Sequence, residues 1–98
     1  MREILLSADG DISLYLVPDE AAENLQKYCL EFCKWMNTSP DAKQFYFKTG
    51  KKSYAYYPEE AFIWYLNKYV FDEQSRYIKT FKCVDLPKKY EDLPYFNF

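Results

Sequence analysis

The chain reads as an α+β domain: a small, mainly antiparallel sheet in the order ββ-α-ββ-α-β, packed on two helices, with an extended C-terminal arm. Three observations predict it. Apolar runs flank turn signals at Asp9-Gly10 and around Gly50. Apolar residues recur at helical spacing after Pro18-Asp19 and again after Pro58-Glu59-Glu60. The stretch 85–98 is interrupted by Pro87 and Pro94 yet keeps Tyr90, Leu93, Tyr95, Phe96 and Phe98, too apolar for a free tail. A length of 98 residues allows one domain, 1–98, in which 85–98 is expected to pack on the body.

Taken in order, Arg2–Ser7 and Ile12–Val17 are two strands joined at Asp9-Gly10. A two-residue connection pairs Ala8 with Asp11 and hence Leu5 with Leu14. One face then carries Leu5, Ile12, Leu14 and Leu16, the other Ile4, Leu6, Tyr15 and Val17. Both faces are apolar enough to need cover, from the body of the domain or from a second chain, so a homodimer through this hairpin is one expectation. A helix follows to about Met36, with Asp19 as N-cap and Ala22, Leu25, Cys29, Phe32, Cys33 and Met36 on one side. Ser39-Pro40-Asp41 breaks it. Gln44–Lys48 and Ser53–Tyr57 form a second hairpin, 58–71 a second helix, and Tyr77–Val84 a last strand.

Composition excludes several classes of function. Histidine is absent, which removes the commonest general base, the usual triads and imidazole metal sites. Gly10 and Gly50 are the only glycines, so no glycine-rich phosphate loop is possible. Cys29 and Cys33 share a helix face and Cys83 could approach them, but structural zinc wants four ligands. The cysteines read instead as small apolar residues, kept reduced in the cytoplasm. No metal, cofactor or catalytic residue is expected, and no nucleophile–base pair can be named.

No apolar run is long enough for a membrane span, and no secretory signal opens the chain. Net charge is −2, unevenly spread: three cations against eight carboxylates over residues 1–42, ten against seven over 43–98. That balance is far from the strong basicity of DNA-coating proteins.

Two clusters are candidate sites. At helical spacing Trp64 falls opposite the inward stripe of Phe62, Ile63, Tyr65, Leu66, Tyr69 and Val70, beside Glu60, Asn67, Lys68 and Phe71. Aromatic rings among polar residues suit a protein-binding hot spot, so Trp64, Phe71, Glu60 and Lys68 are the protein-binding candidates. The same rings could instead be covered by the C-terminal arm. The second cluster, KQFYFKTGKKSYAYY, interleaves lysines with aromatics, as single strands or nucleotides require. A three-residue loop centred on Gly50 would align Tyr46, Lys48, Lys52, Tyr54 and Tyr56 as a binding ladder. A two-residue Gly50-Lys51 turn would put Phe45, Phe47, Tyr54 and Tyr56 on one face as core. Tyr46, Lys48, Lys51 and Lys52 are the candidates of this alternative.

The stretches LLSADGDISLYLVPDEAAENLQKYCLEFCKWM, SPDAK, FIWYLNKYVF and YFNF resemble small, uncharacterised accessory proteins carried on bacterial mobile elements. The resemblance spans most of the chain and brings no catalytic or ligand motif. It implies a phage or plasmid context, in which small proteins often bind and block host machinery, including CRISPR effectors and nucleotide-signalling defences. The expectation is a non-catalytic regulator or inhibitor of a host protein complex, with a nucleotide or single-stranded nucleic-acid binder as the alternative.

Overall fold

The computed structural model describes residues 1–8, 10–49, 52–54 and 59–98, with backbone alone for Phe47–Thr49, Lys52–Tyr54 and Cys83. Strands β1 (Arg2–Ser7) and β2 (Ile12–Val17) pair antiparallel with Leu5 opposite Leu14. This is the register that a two-residue connection at Asp9-Gly10 demands, although Asp9 itself lies outside the described residues. Alternation then sorts the side chains: Ile4, Leu6, Tyr15 and Val17 enter the main core, while Leu5, Ile12 and Leu14 form a second, smaller one on the reverse face.

The helix expected over 19–36 is two helices, α1 (Asp19–Glu23) and α2 (Leu25–Thr38). Asn24 separates them at φ −124°, and its side-chain amide donates to the Glu20 carbonyl at 3.1 Å. Asparagine competes locally for backbone partners in this way, and so interrupts helices. Pro18, not Asp19, occupies the N-cap, and no side chain caps it. The stripe on α2 is as the spacing requires: Leu25, Cys29, Phe32 and Met36 are buried, joined by Tyr28. Ser39 ends α2 in extended backbone because Pro40 follows, and Pro40–Phe45 forms a short 3-10 helix.

β3 (Phe47–Thr49) and β4 (Lys52–Tyr54) make a ribbon of their own and do not join the main sheet, as the single-sheet order had implied. α3 (Glu59–Tyr65) runs on into a π-helical turn over Leu66–Val70, closed by the Phe71 N–H donating to the Leu66 carbonyl at 2.9 Å. β5 (Arg76–Phe81) then pairs antiparallel with β2. Leu14 faces Lys79 and Tyr15 faces Tyr77, so Ile78 is the extra residue of a β-bulge.

The C-terminal arm is more structured than an extended strap. After 3-10 turns at Cys83–Asp85 and Lys88–Tyr90, it ends in β6 (Tyr95–Asn97), parallel to β1. Leu86, Tyr90 and Leu93 cover the reverse face at Leu5, Ile12 and Leu14, and Phe98 packs edge-on to Phe32 at 5.5 Å in the main core. Ser7 fastens the strand, donating to Asn97 Oδ1 at 2.9 Å and accepting from the Tyr95 hydroxyl at 2.7 Å. The four-stranded sheet therefore runs β5-β2-β1-β6, mixed rather than wholly antiparallel. The first hairpin supplies its two central strands, and the surface offered by sequence as a dimer interface is occupied by the chain itself. Among the described residues no helix is long and apolar enough to cross a membrane.

Candidate functional site

The four protein-binding candidates do not form one patch. Trp64 is half-buried among rings, 5.9 Å from Trp35, 5.3 Å from Phe45 and 5.8 Å from Tyr69. Among the described residues its ring contacts beyond its own helix come from α2 and the 3-10 helix after it, and none comes from the C-terminal arm. Lys68 lies over the Trp64 ring at 5.4 Å, a cation–π contact at the surface. Phe71 is set apart: the wide π turn and the extended backbone at Phe71 send its ring to Tyr28, at 5.4 Å in a T-shaped contact. Lys68 and Phe71 both border a small polar depression of about 190 Å³. Glu60 lines a different cleft altogether.

Tyr46, the aromatic candidate for base stacking, packs against the main core and donates its hydroxyl to the Met36 carbonyl at 2.7 Å. Lys51 lies outside the described residues, as do the side chains of Lys48 and Lys52. The backbone pairs Thr49 with Lys52 and Phe47 with Tyr54, the register of the two-residue alternative. Cys29 is buried in the main core, and its thiol pKa is pushed up by burial and by the neighbouring Cys33. Cys33 is half-buried and shifted the same way by burial, while the side chain of Cys83 lies outside the described residues.

The larger cleft, of about 410 Å³, lies where α3 meets the outer side of the sheet. That volume is in the range of ligand and side-chain pockets. Tyr15, Tyr77 and Thr80 line it from the sheet, Glu60 and Ile63 from α3, and Ser75 and Arg76 from the start of β5. A hydroxyl chain runs through its sheet side: Ser13 Oγ to Thr80 Oγ1 at 3.0 Å, and Thr80 Oγ1 to the Tyr77 hydroxyl at 2.7 Å. Burial raises the Glu59 carboxyl above the ordinary value of 4.5, helped by the charges of Glu60 and Asp11 and opposed by a hydrogen bond from Ser13. Burial, with those same two glutamates, also raises the Tyr15 phenol. Tyr15 therefore stays a protonated donor.

Ser75 is the unusual member. The Asn67 side chain clamps its backbone, accepting from the Ser75 N–H at 2.7 Å and donating to its carbonyl at 3.1 Å. The residue is only 6% exposed, yet its hydroxyl has no hydrogen-bond partner among the described residues. A buried polar group left unsatisfied costs about 1–3 kcal/mol, so one held this firmly calls for a reason.

β5 forms the rim of this cleft and the long edge of the sheet. Its first five residues are all exposed, Tyr77 at 55% and Ile78 at 39%. Among the described residues β2 is its one strand neighbour, and alternate backbone groups of an edge strand point away from that neighbour, as a template for another strand. Arg76, Lys79 and the following Lys82 take part in no ion pair among the described residues. Sequence reading placed a strand here but did not single it out as a site. The available signal was RYIKTFK itself, where cations interrupt the apolar residues so that neither face reads as buried.

No protein-family model, curated protein or solved structure matches this chain. Fold and site define it as an α+β domain in which, among the described residues, β5 is a long edge of the sheet with a cleft beside it.

Proposed function

We propose that this protein is a non-catalytic cytoplasmic binding protein, a stoichiometric regulator or inhibitor of a host protein complex. An anti-defence role against that complex is part of the proposal. One observation carries it: β5 leaves Tyr77 and Ile78 uncovered on an open sheet edge, next to a cleft large enough for a side chain. Uncovered aromatic and aliphatic residues beside free strand hydrogen-bonding groups are what protein interfaces are built from. The hydroxyls and carboxylates around the cleft support binding in the same way, as groups that fix orientation.

The test is capture from nuclease-treated host extract, followed by light scattering on the purified complex. A protein retained after nuclease digestion at fixed stoichiometry is the expected result. The variant Ile78→Lys should lose about tenfold or more in affinity, as interface anchors do, with its melting temperature little changed. Retention that disappears on nuclease treatment would reject the reading.

A further inference from the structure

We infer that β5 takes up an extended segment of the partner as an added strand, one whose side chains alternate between acidic and apolar. This rests on the protein-binding reading above and names the kind of segment bound. The register supplies the argument. Lys79 pairs with Leu14 and so projects on the face covered by the C-terminal arm, while Arg76, opposite Leu16 at the start of the strand, also borders the cleft. Tyr77 pairs with Tyr15 and Thr80 with Ser13, so these belong to the opposite face, that of α3 and the cleft. A strand laid along β5 would present alternate side chains to these two faces.

On the arm side it would meet Lys79, whose ammonium lies over the Phe81 ring at 4.9 Å, with Arg76 at the start of the strand and no acidic residue within it. Acidic side chains complement that row. On the other side it would meet Ile63, Tyr15 and the tyrosine–threonine rim, where an apolar side chain fits.

Two competing occupants fit less well. A second copy pairing β5 with β5 would bring Arg76, Lys79 and Lys82 of both chains together, and like charges across a ladder are destabilising. A nucleic-acid strand would put phosphates beside Glu60, with Glu59 next to it, and the Tyr77 hydroxyl is already bonded to Thr80.

The experiment titrates the isotope-labelled whole chain with a synthetic peptide alternating Val and Glu over about nine residues, enough to span β5. A Val/Lys peptide and a thymidine oligonucleotide are run in parallel. The acidic peptide should shift the amide resonances of Ser75 and Arg76–Phe81 and slow exchange of the outward β5 amides. Its affinity should exceed that of the lysine peptide by about tenfold, and Lys79→Glu should reduce that preference. Equal binding of both peptides, shifts confined to other elements, no shift up to about 1 mM peptide, or a response to the oligonucleotide alone would each overturn the inference. Capture of the natural partner separates the two claims. Capture that survives Lys79→Glu in full removes this strand site and leaves the regulator reading standing. Peptide binding by a chain that captures no protein keeps the strand site and removes that reading.

Discussion

β2 and β5 are neighbouring strands of equal length, six residues each, hydrogen-bonded to one another, and they meet opposite fates. β2, ISLYLV, is buried at every position but Leu16. β5, RYIKTF, is exposed at every position but Phe81. Both are rich in β-branched and aromatic residues, so propensity does not separate them. Cover does. β2 has strands on both sides, the main core on one face and the arm on the other. Among the described residues β5 has one strand neighbour. Backbone hydrogen bonds contribute only modestly to net stability, so burial carries the centre of the sheet and its edge is left to interact.

Four substitutions test that division. The largest effect should come from Leu14→Ala in β2, which empties a fully buried site under the arm: a loss of about 3 kcal/mol in urea unfolding. Ile78→Lys in β5 should change the same measurement by less than about 0.5 kcal/mol, and a loss near that of Leu14 would break the comparison. Trp64→Ala should cost about 2 kcal/mol, below the usual price of a fully buried tryptophan, because Trp64 is half-buried against Trp35 and Phe45. An unchanged unfolding curve would return Trp64 to the contact surface. Tyr46→Phe should cost about 1 kcal/mol through the lost bond to the Met36 carbonyl.

A smaller effect, opposite in sign, is expected at Glu59. Its carboxyl titrates above the ordinary 4.5 in the folded chain, so the folded state holds this proton more tightly than the unfolded state does. The associated stability is present below 4.5 and lost as pH rises through the folded value. Glu59→Gln removes that loss and keeps a partner for Ser13. Its melting temperature at neutral pH should rise, and the gain should vanish in acid below the ordinary carboxylate value. A gain that persists in acid would show that charge is not the cause.

Local chemistry was legible where it is self-contained. The Asp9-Gly10 signal and the apolar alternation around it were enough to pair Leu5 with Leu14 and to divide the side chains between two faces. Helical spacing was enough to place the buried stripe of α2. Trp64 stood out as an aromatic off the expected inward stripe, but its ring meets Tyr69 of that stripe, and its neighbours Trp35 and Phe45 come from other elements that no spacing rule connects to it. The break at Asn24 and the π turn before Phe71 are single-residue adjustments that let helices follow the core, and periodicity averages over them.

By itself, then, the sequence determined the α+β class, the first hairpin with its register, and which side of α2 is buried, because turns and periodic patterns are properties of adjacent residues. Only the tertiary structure decided that β6 would return to lie parallel to β1, that the arm would cover the reverse face, and that β5 would be left as the long open edge. Parallel pairing joins residues far apart in the chain, and its stability depends on every surface buried at once.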